Sequence, residues 1–119
     1  MAIEIPGVDV QKGLDLYDNE EEFYIFALRS WATNTPEALD KLRSVSKETL
    51  PAYAISIHGV KGTAAHIGAE KIREKALNLE VLAKAGDLDG VLAANDSFLK
   101  EADATLETVK NWLAKNAPN

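Results

Sequence analysis

The sequence predicts an all-α protein, and three observations support that fold class. Apolar residues recur at intervals of three and four, which is the spacing of one helix face. Proline and glycine lie where such stretches begin and end. No stretch alternates polar and β-branched residues, and no Asn-Gly or Asp-Gly hairpin turn occurs. The expected architecture is an antiparallel up-down-up-down four-helix bundle with a short preceding N-terminal helix, formed by residues 1–119 as one domain.

The first two helices are expected at residues 9–16 and 20–46. The earlier segment, with Val10, Leu14 and Leu16 as its apolar anchors, predicts a short helix or turn. The acidic run Glu20–Glu22 suits the start of the second helix, because unpaired N–H groups there favour negative charge. Pro36 interrupts the second helix, and its missing N–H predicts either a kink or two abutting helices.

Four aromatic residues lie at helical spacings and could form either part of the core or a cage for a cofactor. They are Phe23, Phe26, Trp31 and Trp112. Aromatic side chains at helical spacing belong to a core more often than to a cofactor site. We therefore expect these four side chains in the core.

The third helix, expected at residues 50–67, has a regular apolar face. Pro51 suits its first turn, since the missing N–H would be unpaired there in any case. Gly68 suits the position just beyond its end. The apolar face is predicted to consist of Tyr53, Ile57, Val60, Ala64 and Ile67.

The last two helices are expected at residues 69–85 and 88–115, with the turn between them at Gly86. Asp87 is placed to cap the final helix with its carboxylate. The core face of the fourth helix is expected to include Ile72, Ala76 and Leu79. That of the last is expected to include Val91, Asn95, Phe98, Ala102, Leu106 and Val109. Four helices of this kind bury their apolar faces only against one another, so a monomer is the default expectation.

Composition limits the classes of function. The chain has no cysteine, which excludes disulfides and thiolate metal sites. Its formal net charge of −6 argues against binding the phosphate backbone of nucleic acids. No stretch approaches the roughly 18 consecutive apolar residues of a membrane helix. The N-terminus lacks the basic start and apolar run of a secretion signal, so we expect a cytoplasmic protein without membrane insertion.

His58 lies off the apolar face of the third helix, because it is rotated about 100° from Ile57. Lys61 and Gly62 follow at three and four residues and therefore neighbour it on the helix surface. Two interior glycines, Gly59 and Gly62, each cost roughly 1 kcal/mol relative to alanine. That cost is understandable where another protein must approach the helix closely.

An exposed imidazole suits nucleophilic chemistry, because its unperturbed pKa near 6.5 leaves one ring nitrogen free at neutral pH. Phosphoryl transfer is favoured, since Lys61 would offset the charge of the phosphoryl oxygens. Residues 58–84 carry five basic and three acidic side chains, whereas the rest of the chain is acidic. His66 is more simply a surface histidine. A metal pair with His58 is not expected, because two turns separate the two side chains by about 12 Å.

The stretch from His58 to Ala69 (HGVKGTAAHIGA) resembles the signature of histidine phosphotransfer (HPt) domains. Leu79-Glu80 and Gly86-Asp87-Leu88 also lie where such domains have a Leu-Glu pair and their last turn. The resemblance covers essentially the whole chain and implies a four-helix bundle with a short preceding helix. Ile57 and Gly59 depart from the residues usual in the family, without removing a reacting group.

The resemblance also implies the roles of individual residues. His58 would be phosphorylated, Lys61 would stabilise the phosphoryl group and Gly62 would provide clearance. Beside these roles, we expect the neighbouring Gly59, Ala65 and His66 to contact partners. Those partners would be response-regulator receiver domains and a sensor histidine kinase. No cofactor of its own is implied, because the Mg²⁺ needed for transfer belongs to the receiver, and the chain would be a carrier rather than an enzyme.

An alternative is an interaction module that has kept the bundle and lost phosphotransfer. The presence of His58, Lys61 and Gly62 weighs against it. Exposure of the His58 ring distinguishes the two hypotheses, since a buried ring would favour the interaction module.

Overall fold

The computed structural model describes residues 3–117, and helices are the regular structure throughout that range. The elements in chain order are α1 (Val10–Asp15), α2 (Glu21–Asp40), α3 (Leu50–Ala65), α4 (Glu70–Lys84) and α5 (Leu88–Asn116). The described residues include no β-strand, which confirms the all-α prediction. None of the helices in this range has both the length and the apolar character needed to cross a membrane.

Helices α2 to α5 pack around a common core. Helix α3 lies against α2 and α4, and α5 also contacts both α2 and α4, while α1 packs on α2. The largest fully buried side chains come from all four long helices and include Tyr24, Leu28, Tyr53, Ile57, Ile72, Leu79, Phe98 and Val109. The molecule is therefore a helical bundle with a short preceding helix, 47 Å along its longest axis.

Helix α2 ends at Asp40, so the predicted end at residue 46 is wrong. Pro36 lies inside this single helix, and the alternative of two abutting helices is wrong as well. Leu42 lies in the turn that follows and is fully buried. Its carbonyl oxygen accepts a 2.8 Å hydrogen bond from Asn95 Nδ2 on α5, which replaces a helical partner. Leu39 at the end of the helix and Leu42 in the turn are both buried, three residues apart. Helical spacing alone therefore did not show that the helix had ended.

The predicted apolar face of α3 is confirmed. Tyr53, Ile57, Val60, Ala64 and Ile67 are all buried. Helix α3 itself ends at Ala65, two residues before the predicted end. At the end of the helix the Ala69 N–H donates a hydrogen bond to the Ala64 carbonyl. Gly68 adopts φ +80°, the left-handed conformation of a helix-ending glycine.

The first part of the chain packs over the end of α3. Asp9 N–H donates to the Gly68 carbonyl at 2.7 Å, and the Tyr24 hydroxyl donates to the Ile67 carbonyl at 2.8 Å. The Tyr17 hydroxyl donates to the His66 carbonyl at 3.0 Å. Three successive carbonyls therefore gain partners where the helix no longer supplies them, which holds the C-terminal end of α3 in place.

Phe23 and Phe26 are exposed, so their predicted place in the core is wrong. Their side chains retain 60% and 72% of their accessible surface. Residues 23–28 are apolar all round the helix, and spacing alone allows more than one buried face. The face that is buried consists of Tyr24, Leu28, Trp31, Ala32, Thr35 and Leu39. Trp31 is thus in the core as expected, whereas Trp112 is only partly buried.

Helices α4 and α5 lie within one residue of their predicted bounds. Asp87 caps α5 as expected, accepting a 2.9 Å hydrogen bond from Gly90 N–H. Asn95 is buried on the core face of α5. Its Oδ1 accepts a 2.7 Å hydrogen bond from the Tyr53 hydroxyl, which satisfies this polar group inside the core.

Candidate functional site

His58 projects from the exposed face of α3. Its side chain is 63% exposed, whereas the side chain of Ile57 next to it is fully buried. The contrast follows from the helix, which rotates successive residues by about 100°. Burial of Ile57 therefore directs the imidazole of His58 outward.

A buried carboxylate on α4 lies behind this imidazole. The side chain of Glu80 is 4% exposed and accepts from three donors. His58 Nδ1 lies 2.6 Å from its Oε2, and Lys61 Nζ lies 2.6 Å from its Oε1. Lys84 Nζ lies 3.0 Å from Oε2. Glu80 thus connects His58 and Lys61 on α3 with Lys84 on α4.

The three donors determine the charge of Glu80. The Lys61 ammonium contributes most to lowering the pKa of Glu80, to about 2, against the effect of burial, and Lys84 and His58 lower it further. Glu80 is therefore a carboxylate at neutral pH and can only accept hydrogen bonds. Since it faces Nδ1 of His58, that nitrogen carries the proton. In a neutral imidazole, the lone pair then lies on Nε2.

Lys61 is closely paired with Glu80 and is only 25% exposed. Its ammonium holds one carboxylate oxygen, while His58 holds the other. The structure therefore places the predicted cation beside the predicted nucleophile, joined to it through a residue that the sequence analysis did not assign to the site.

Of the two interior glycines of α3, Gly59 is exposed and Gly62 is partly exposed. A Cβ atom added at Gly59 or at Gly62 would have no atom within 4 Å in the described part of the chain outside the local helix backbone. No packing requirement of the bundle therefore explains either glycine. Ala65 is partly buried one turn beyond Lys61. His66 is exposed at the end of α3 and is not among the donors to Glu80.

An apolar groove of about 710 Å³ lies beside Gly59, between α2 and α3. We call it the α2–α3 groove, and the residues that line it include Phe23, Phe26, Trp31, Ile55, Gly59 and His66. Ile55 is 77% exposed, so it joins Phe23 and Phe26 as a large apolar side chain in contact with water. Exposed apolar surface of this kind is typical of a site where another molecule binds.

Glu80 and Lys84 were missed as site residues. Glu80 follows Ala76 by four residues and so lies beside the apolar face of α4, where a lone carboxylate predicts a buried polar partner. That signal was present in the sequence. Nothing in the spacing of Lys84 separates it from an ordinary surface lysine four residues from a glutamate.

Among residues 3–117, no group of three or more His, Asp or Glu side chains is arranged to hold a metal ion. Comparison with known proteins gave no relatives: no family model, no curated protein and no solved structure matches the chain.

Proposed function

We propose that this protein is a phosphorelay carrier of the histidine phosphotransfer type. Nε2 of His58 receives a phosphoryl group from the aspartate of a receiver domain or from a kinase, and passes it to another receiver. One observation carries the proposal: an exposed imidazole whose Nδ1 is held by a buried, ionised carboxylate 2.6 Å away. That arrangement leaves Nε2 as the outward-facing nucleophile.

The transfer step balances without loss of a proton from the ring. The lone pair of Nε2 forms a bond to phosphorus, and the bond from phosphorus to the donor oxygen breaks. Its electron pair stays on the donor, which leaves as a carboxylate when the donor is an aspartyl phosphate. The imidazole becomes cationic while Nδ1 keeps its proton. Onward transfer is the reverse reaction with a second receiver, whose Mg²⁺ stabilises the moving phosphoryl group.

Glu80 is a positioning residue in this mechanism. Its carboxylate orients the ring and stabilises the cationic imidazole that forms as Nε2 is phosphorylated. Lys61 keeps the carboxylate ionised and offsets its negative charge close to the arriving phosphoryl group. The contact between His58 Nδ1 and Glu80 is present before phosphorylation, so the ring needs little reorientation during the step.

The surface around His58 suits a close protein partner. Gly59 and Gly62 leave the backbone of α3 accessible, and the α2–α3 groove, which Gly59 lines, presents Phe23 and Phe26. Aromatic side chains of this kind often supply much of the binding energy at protein interfaces. We assign this face to the receiver domain, which would place its phosphorylated aspartate over Nε2 of His58.

The proposal also includes the finer architecture. An up-down-up-down antiparallel order of α2 to α5 is supported by the ring of contacts α2–α3–α4–α5 and by the short connections after α3 and α4. Such a bundle fixes α3 between two neighbours and leaves its outer face free. An interaction module without phosphotransfer has less support, because the His58 ring is exposed rather than buried.

Transfer from isotopically labelled receiver domains tests the function. Each receiver is phosphorylated, freed of excess donor and mixed with the protein in the presence of Mg²⁺. Acid-labile, base-stable label should appear on the wild type and on His66→Gln, but not on His58→Gln. His66→Gln is the control for the site of labelling, since it removes the other histidine of the chain. Because His66 lines the α2–α3 groove, the comparison uses the presence of label and not its rate. Label on His58→Gln, or none on the folded wild type with a broad panel of receivers, would overturn the proposal.

A further inference from the structure

Lys84 approaches the site from the opposite helix. Its Nζ lies 3.0 Å from Glu80 Oε2, the same oxygen that accepts from His58 Nδ1. Two donors on one oxygen are close neighbours, so the Lys84 ammonium lies beside the His58 ring. Lys84 is part of neither the motif on α3 nor the core face of α4.

The two lysines that bind Glu80 are held differently. Lys61 is 25% exposed and lies 2.6 Å from Oε1, an oxygen it does not share with the other two donors. Lys84 is 64% exposed, makes a longer contact and shares its oxygen with His58. The lysine end of this pair lies in water although Glu80 is buried, and a lysine side chain on a flexible four-carbon stem changes direction readily. Lys84 is thus the cation that can leave Glu80 more readily than Lys61, which is more buried and makes the shorter contact.

We propose that Lys84 is the phosphate-binding cation of the phosphorylated site: it turns from Glu80 to the phosphoryl group when His58 is phosphorylated, while Lys61 stays on Glu80. This inference rests on the proposed function, because it concerns the phosphorylated state of the same site. It adds a second residue on α4, after Glu80, to a site whose sequence-predicted members lie on α3 or just beyond its end.

The charges of the site support this division of roles. One carboxylate and two ammonium groups surround the unmodified ring. A phosphoryl group adds a charge of roughly −1.5 to −2. One anionic group then lies on each side of the imidazole, the Glu80 carboxylate at Nδ1 and the phosphoryl group at Nε2. If both lysines stayed on Glu80, neither ammonium group of the site would pair with the phosphoryl oxygens. With Lys84 moved, each anionic group has one ammonium partner.

Lys75 provides a matched control on the same helix. Its Nζ pairs with Glu101 on α5 at 2.9 Å and is 46% exposed, so it is a surface lysine engaged elsewhere. Lys84→Met and Lys75→Met each remove one positive charge and keep a long side chain. The comparison therefore separates an effect of position from an effect of net charge.

The test uses phosphoramidate, a small donor that phosphorylates histidine without a partner protein. The P–N bond of the donor breaks, ammonia leaves, and the new N–P bond forms on the ring. We then measure the pKa of the attached phosphoryl group by ³¹P NMR titration, and the rate of its onward transfer to a receiver. The charged groups assigned to its surroundings are Lys61, Lys84 and Glu80.

Lys84→Met should raise the pKa of the phosphoryl group by about half a unit, because an adjacent cation favours the more ionised form. Onward transfer should slow about fivefold, Lys84→Arg should restore both values, and Lys75→Met should match the wild type. A wild-type pKa and rate in Lys84→Met would overturn the role of Lys84 and leave the carrier function standing. Failure of the folded wild type to be phosphorylated at His58 by phosphoramidate or by receivers would overturn both.

Discussion

Nδ1 of His58 on α3 donates a 2.6 Å hydrogen bond to Oε2 of Glu80 on α4, so an exposed ring is held by a buried carboxylate. The bond crosses between two helices and therefore depends on how they pack. It selects the tautomer in which Nε2 faces solvent. Most of the behaviour expected of this protein follows from that one contact.

Glu80 should control the rate at which His58 is phosphorylated. We expect Glu80→Ala to slow phosphorylation by about 10²-fold, since a misplaced reacting group costs about that much. Glu80→Gln should be intermediate, because its amide oxygen can still accept from Nδ1 but carries no charge. Initial rates with phosphoramidate measure the effect, and ¹⁵N NMR of the imidazole should show a loss of the Nδ1–H tautomer. An unchanged rate in Glu80→Ala would remove Glu80 from the mechanism.

The low pKa of Glu80 predicts a pH dependence of stability. Its pKa falls from an ordinary value of 4.5 to about 2 on folding, mainly through Lys61. Below pH 4.5 the unfolded chain binds a proton at this residue before the folded chain does, so acid favours unfolding. The stabilisation is complete above about pH 4.5 and is lost as the pH falls towards 2.

Urea unfolding across this range measures that contribution. The free energy of unfolding of the wild type, minus that of Glu80→Gln, should decrease steadily between pH 4.5 and 2. Glu70 also has a lowered pKa, because of Arg73 and Lys12, and contributes equally to both proteins. A difference that stayed constant with pH would show that Glu80 keeps an ordinary pKa.

Gly62 offers a way to separate stability from function. A Cβ at this position has open space around it, so Gly62→Ala should stabilise the fold by about 1 kcal/mol through higher helix propensity. The same methyl group should obstruct a receiver that approaches the backbone near His58 and slow transfer from it. Phosphorylation by phosphoramidate, which needs little clearance, should be unchanged. A stabilised variant with normal transfer from receivers would contradict the clearance role.

Phe26 should contribute to partner binding without contributing to the core. Because its side chain is 72% exposed, Phe26→Ala should change the free energy of unfolding by less than about 0.5 kcal/mol. Loss of an aromatic anchor should weaken receiver binding by about 2 kcal/mol, roughly 30-fold in the dissociation constant. Leu92→Ala on α5 is the control, since Leu92 is also exposed but does not line the α2–α3 groove. Equal losses of affinity in the two variants would place the interface elsewhere.

The sequence was most informative where one apolar face was distinct. On α3 the intervals of four, three, four and three define one continuous apolar face, and all five predicted residues are buried, whereas Ile55 outside that face is exposed. The position of His58 followed directly from that face. The charged residue that holds its ring belongs to another helix, and spacing within α3 contains no information about it.

Where several faces of a helix were apolar, the tertiary structure decided which of them is buried. Residues 23–28 allow more than one buried face. The face that is buried contains Tyr24, whose hydroxyl donates a hydrogen bond to the Ile67 carbonyl. Phe23 and Phe26 are left outside as a result. Tertiary contacts also decided where α2 ends. The side-chain amide of Asn95 on α5 donates to the Leu42 carbonyl, so the chain can turn where spacing alone predicted more helix.

The position of the phosphoryl group on the His58 ring is the most direct test of the mechanism. The protein labelled with ¹⁵N in its histidines is phosphorylated, and ³¹P–¹⁵N NMR identifies the bonded nitrogen. We predict a bond to Nε2 of His58, with the Nδ1 proton still present and protected from exchange by Glu80. A bond to Nδ1, a phosphoryl group on His66, or a folded protein that no donor phosphorylates would contradict the account.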